Sequence, residues 1–151
     1  MDEVVSDYGI ISLAGKLRDY ANDFIHEELM QEGICDLLPC HGDILYAVFK
    51  KREVKVTEIA ALTHRSKSTV SSMVDKLRDL GYVTKLKDEH DPRALVISPT
   101  QKAEAIMPVF KRISMNLTKR LLQEFTDEEL KTLERLLKRA VVGFESRVEL
   151  S

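Results

Sequence analysis

Residues 56–98 constrain the fold of this chain more than any other stretch. Thr57 can cap a short helix through Leu62, a tight turn follows at Thr63–Arg65, and Ser66 can cap a second helix from Lys67 to Leu80 that stops at Gly81. In that second helix Val70, Val74 and Leu77, with Met73 and Leu80, fall on one face. Lys67, Ser68, Thr69, Ser71, Ser72, Asp75 and Lys76 fall on the other. Tyr82–Lys87 and Ala94–Ile97 are strand-like runs on either side of the polar Asp88-Glu-His-Asp-Pro-Arg93, which predicts a hairpin. A helix, a turn, a polar-faced helix and a charged hairpin therefore follow one another directly.

Helical periodicity continues on both sides. Ile10, Leu13, Leu17, Tyr20 and Phe24 recur at steps of three and four, which predicts a helix from about Ser6 to Glu32 with Gly33 as its stop. A second helix is expected from Pro39 or His41 to Lys51, burying Ile44, Leu45, Val48 and Phe49. Ser98-Pro-Thr-Gln101 has the form of a cap, a first-turn proline and a capping-box glutamine, opening a helix to about Glu124 that bends at Pro108. Thr126-Asp-Glu-Glu129 is a further capping box, and beyond it Leu130, Leu133, Leu137, Val141, Phe144 and Val148 share a face. The centre, about residues 35–98, is too small to cover these outer stripes. They pack on one another within one chain or, the reading we prefer, pair with those of a second chain.

A chain of 151 residues accommodates one such domain plus dimerising helices. Charges interrupt every apolar run, so no membrane span is expected, and the acidic N-terminus lacks the layout of a signal peptide; a cytoplasmic protein is the expectation. No nucleophile–base pair and no phosphate-binding loop can be found, so neither an enzyme nor a cofactor is expected. The net charge of −2 conceals a marked asymmetry. Residues 1–49 carry 2 basic and 10 acidic side chains, whereas residues 50–93 carry 11 basic and 7 acidic. Positive charge is concentrated around the helix-turn-helix and hairpin, as contact with phosphate requires.

The residue types there suit double-stranded DNA. Small hydroxyl side chains at the start of a helix allow close approach to base edges, and a threonine methyl can meet a thymine methyl. Ser66, Lys67, Ser68, Thr69, Ser71, Ser72 and Lys76 are the candidate reading residues, with Arg65 in the turn. Lys85, Lys87, His90 and Arg93 are the candidates on the hairpin, where an arginine can enter the minor groove. Asp91 would repel phosphate, so its expected role is to hold Arg93 or a neighbouring arginine in place.

Lys67-Ser-Thr-Val-Ser-Ser-Met-Val-Asp-Lys-Leu-Arg-Asp-Leu-Gly-Tyr-Val83, then Asp91-Pro-Arg93 and Leu95-Val-Ile-Ser-Pro-Thr100, resemble the multiple-antibiotic-resistance-regulator (MarR) family. Pro99 stands where that family usually has leucine, and Ala103 where it usually has glycine. The resemblance covers nearly the whole chain. It implies a mainly α fold with a small β wing: a winged helix-turn-helix at 35–99, with dimerisation helices at 1–34 and 100–151. It further implies a homodimer on a pseudo-palindromic operator, usually acting as a repressor. The recognition helix would be Ser66–Leu80, and the wing arginine Arg93.

Many members of that family leave DNA in response to a small-molecule effector, thiol oxidation or a metal. Cys35, Cys40 and His41, at the junction of the first two helices, are the candidate sensing residues. Asp36 beside Cys35 disfavours a thiolate there, so Cys40 is the better thiol candidate. A metal site from Glu27, Glu28, Cys35, Cys40 and His41 rests on weak spacing. A winged-helix protein–protein interaction module without DNA binding remains the alternative, since the acidic first helix could serve it.

Overall fold

The computed structural model describes residues 9–148. The order is α1 (Ile10–Gln31), α2 (Pro39–Lys51), β1 (Val54–Lys55), α3 (Val56–Thr63), α4 (Lys67–Asp79), β2 (Val83–Lys87), β3 (Leu95–Pro99), α5 (Gln101–Leu122) and α6 (Asp127–Val148). Ser6–Tyr8, where the sequence pattern begins the first helix, and the side chain of Val148 lie outside the described residues. The three strands form one antiparallel sheet in the order β1-β3-β2. The wing is therefore the β2–β3 hairpin, with β1 added along its base.

Two helix starts differ from expectation. The α3 cap is Lys55, whose backbone N–H donates to Glu58 at 3.3 Å, and Thr57 lies inside the first turn. For α5 the cap is Thr100, whose hydroxyl accepts from the Ala103 N–H at 3.3 Å, not Ser98. Ser98 and Pro99 instead complete β3, paired with Thr84 and Val83. Proline is tolerated there because β1 pairs with β3 only at Val96 and Ile97, so Pro99 has one neighbouring strand rather than two. The shift also sends Ala103 into the core, where it is fully buried and a small side chain is needed. The helix continues through Pro108. The Thr126 box forms as expected, with Thr126 and Glu129 exchanging backbone-to-side-chain bonds at 3.2 Å.

One apolar core joins the helix-turn-helix to the helices that flank it. Ile44, Leu45 and Val48 of α2, Ile59 of α3, Val70, Val74 and Leu77 of α4, and Ile97 of β3 are sealed from water. Leu29 of α1 and Ala103 and Ile113 of α5 enter the same cluster. The outer stripes remain bare. Ile10, Leu13, Leu17 and Tyr20 on α1 are exposed, as are Leu137, Val141 and Phe144 on α6. Among the described residues, no helix is long and apolar enough to cross a membrane.

Among the described residues, His41 is the one polar or charged side chain in the buried set, 4% exposed. Its Nδ1 accepts the Leu38 N–H at 3.1 Å, satisfying an otherwise orphaned donor at the start of α2. Burial, reinforced by the nearby Lys76 charge and opposed by Asp36, lowers its pKa below the ordinary 6.5. The folded chain thus keeps the ring neutral at pH values where the unfolded chain binds a proton. The stability this contributes is intact above about pH 6.5 and declines as pH falls below it, until the folded ring itself protonates. H41N keeps an acceptor for Leu38 without a titrating ring. Its melting temperature should fall less than that of the wild type between about pH 7.5 and about pH 5, which thermal unfolding across that range would measure.

Candidate nucleic-acid interface

The start of α4 forms one wall of the site. Ser66 takes extended backbone, and its Oγ accepts the Thr69 N–H at 3.2 Å while bonding the Thr69 hydroxyl at 2.8 Å. Ser66 is thus largely committed to capping. Lys67, Ser68, Thr69, Ser72 and Lys76 are exposed and Ser71 is half-buried, all on the face opposite Val70, Val74 and Leu77. The preceding turn hinges on His64, a non-glycine residue in the left-handed region at φ 53°. Two side chains hold that turn: His64 Nδ1 lies 2.9 Å from Glu145 of α6, and Arg65 donates to Asp43 of α2 at 3.2 Å. The Arg65 side chain is only 15% exposed, so much of its guanidinium is committed to locating the turn.

The wing forms the opposite wall. Asp91 Oδ1 accepts the Arg93 N–H at 3.0 Å, and the Asp91 carbonyl accepts the Ala94 N–H at 3.0 Å. The expected service of Asp91 to an arginine therefore runs through the backbone of Arg93, whose side chain is left exposed. Asp88 accepts the His90 N–H at 3.0 Å and pairs with Lys55 at 3.3 Å, and both hold its carboxyl below the usual range. Lys87 and His90 are exposed. Lys85 differs from the expectation. Strand alternation puts it on the side of Val83, and its Nζ meets Asp75 of α4 at 2.8 Å with the side chain 15% exposed. It ties the wing to α4 and has little left for solvent.

Between the walls lies a cleft of about 430 Å³, lined by Lys55, Val56, Thr57, Lys67, Ser68, Ser71, Arg93, Ala94 and Leu95. It brings together Lys67, Ser68, Ser71 and Arg93 from the sequence-derived set. Lys76 and Lys87 do not line it. Lys55 and Thr57 were missed by the sequence reading, because β1 has two residues and leaves no periodic signal. Three basic residues around a concave wall, with hydroxyls between them and an α-helix starting there, favour an anionic, hydrogen-bonding partner.

The junction candidates lie elsewhere. Cys35 is exposed in the α1–α2 connection, Cys40 is half-buried in the first turn of α2, and His41 faces inward. Among the described residues, no group of three or more His, Cys, Asp or Glu side chains is placed to hold a metal.

A model of the MarR family matches residues 36–94. The uncharacterized HTH-type transcriptional regulator YybA of Bacillus subtilis is 28% identical over 106 residues, covering 69% of this chain and 71% of that protein. YcgE of the same organism, also an uncharacterized HTH-type transcriptional regulator, is 33% identical over 93 residues, 61% of this chain and 60% of that one. In fold, the chain is similar to a MarR protein from Peptoclostridium difficile, with a TM-score of 0.81 at 21% identity over 97% of this chain and 94% of that one. It is also similar to a cysteine-to-serine mutant of E. coli MarR complexed with operator DNA, with a TM-score of 0.73 at 21% identity over 85% and 91% of the two chains. The matched segment runs from the α1–α2 connection through α3 and α4 into the wing, so over that segment the chain is similar to the MarR family, and its fold is that of the MarR proteins it resembles.

Proposed function

We propose that the chain is a homodimeric repressor that binds a pseudo-palindromic operator in double-stranded DNA and is released by a small-molecule effector or another signal. The observation that carries this reading is the cleft joining the start of α4 to the wing, where Lys55, Lys67 and Arg93 converge beside Thr57, Ser68 and Ser71. The fold shared with an E. coli MarR mutant that is complexed with operator DNA supports the same reading. In this reading residues 35–99 contact DNA, with Ser68, Thr69, Ser71 and Ser72 reading bases from the major groove. Lys67, Lys76 and Lys87, with Lys55, contact phosphates, His90 sits at the wing tip, and Arg93 enters the minor groove. Ser66, Arg65, Lys85 and Asp91 hold the reading residues in place. Cys35 and Cys40, at the junction with the helical region, remain the candidates for sensing, with the cytoplasm as the compartment.

The helices at 1–34 and 100–151 are assigned to dimerisation because their apolar stripes face water in the single chain. Burying a leucine contributes about 1.5–3 kcal/mol, and two-fold symmetry counts each position twice, so L17E should weaken self-association roughly a hundredfold or more. Sedimentation equilibrium measures it, and an unchanged dimer would remove α1 from the interface.

The division between free and committed lysines has its own consequence for DNA. K87A should reduce the dependence of log K on log salt by about two units, one for each protomer of the dimer, whereas K85A should leave it nearly unchanged. Titrations of duplex DNA at several salt concentrations would read the two slopes.

Phosphate grip and base readout should also separate. R93A should weaken binding to most duplexes alike, by about tenfold, whereas T69A should mainly relax preference within each half-site, at about 1–3 kcal/mol per affected base pair. Gel shifts on random and selected duplexes would compare them. Equal losses on all DNA from both variants would contradict the assignment, and no salt-sensitive binding by the wild type would favour a protein–protein module.

A further inference from the structure

The end of α4 meets the start of α5 at a compact polar joint. Tyr82, 2% exposed, donates its hydroxyl to Asp36 Oδ1 at 2.7 Å. Lys102 Nζ donates to Asp36 Oδ2 at 3.1 Å and to the Leu80 carbonyl at 2.7 Å, and lies 4.3 Å from the centre of the Tyr82 ring. Thr100 adds a hydroxyl bond to the Gly81 carbonyl at 2.6 Å. Gly81 turns the chain at φ +86°, a conformation that favours glycine. Three elements converge here: the α1–α2 connection through Asp36, the tail of α4 through Leu80, and the first turn of α5 through Lys102.

The joint lies at the opposite end of α4 from the base-reading Ser68, Thr69, Ser71 and Ser72, which gives it leverage. With 13 residues, α4 is about 20 Å long. A tilt of about 10° at its tail therefore carries its tip about 3.4 Å, one base-pair step along DNA. None of the three side chains lines the cleft, so they would act on recognition only through the placement of α4. Resting on the dimeric DNA-binding reading above, we propose that Asp36, Tyr82 and Lys102 are positioning residues that set the half-site separation the dimer accepts. Lys102 is the keystone, since its single ammonium reaches both Asp36 and the carboxyl-terminal end of α4.

The test uses the full chain and a preferred duplex selected from a random pool. Affinity is measured for that duplex, for versions with one base pair inserted or removed at the centre, and for a single half-site. The variants are K102M, which keeps an apolar stem on a half-exposed side chain, and Y82F, which removes only the hydroxyl. Wild type should lose about tenfold on altered spacing, K102M and Y82F about threefold or less, with half-site affinity within about twofold of wild type. Circular dichroism melts verify that both variants fold. Should K102M and Y82F be folded and keep the wild-type spacing profile, or lose half-site and full-site binding in parallel, the positioning role is overturned. If wild type selects no two-fold duplex at all, the DNA-binding reading fails first and this inference with it.

Discussion

The polar face of α4 can point outward only because its apolar face is completely sealed. Val70, Val74 and Leu77 have no exposure and share one buried cluster with Ile44, Leu45 and Val48 of α2, Ile59 of α3 and Ile97 of the sheet. A helix of 13 residues is marginal alone in water, so this burial holds it. The same contact fixes its rotation about its own axis. Turn α4 by one residue, about 100°, and the serines would face the core with their hydroxyls unpaired, a substantial cost. The wing, the turn and the joint at the tail of α4 all build on a helix whose rotation is already settled.

Charge is distributed in two roles across that frame. One set of side chains is spent on the protein itself: Arg65 on Asp43, Lys85 on Asp75, Lys102 on Asp36. Each ties two elements together and commits its cation to a carboxylate of the chain itself. The other set, Lys67, Lys76, Lys87 and Arg93, stays exposed around α4 and the wing. Asp91 illustrates why an acid can sit on a basic surface. It stabilises the wing turn through the Arg93 amide and so holds the arginine where its side chain is free.

The helices, the hairpin and most of the core were legible in the sequence because periodicity and caps are local signals. Ser66 as the α4 cap, the Thr126–Glu129 box and the inward Val70, Val74 and Leu77 all follow from residue type and spacing. What was misread turned on competition between elements. Ser98 and Thr100 are both good caps, and the strand partner at Val83 and Thr84 decided between them by drawing Ser98 and Pro99 into β3. Lys85 and Lys87 look alike along the strand, yet only Lys85 has an aspartate opposite it. His41 beside a cysteine suggested a sensing pair, but its ring is used at the start of α2 and buried.

By itself the sequence determined which segments are helical, which face of each is apolar, and where basic charge gathers, because these depend on neighbours within a turn or two along the chain. Only the tertiary structure decided which basic residues remain free, that Lys55 and Thr57 join the cleft, and that Asp36, Tyr82 and Lys102 meet at the tail of α4. Those outcomes depend on partners 46 and 66 positions away along the chain. Residue spacing carries no trace of such distances; packing alone brings the partners together.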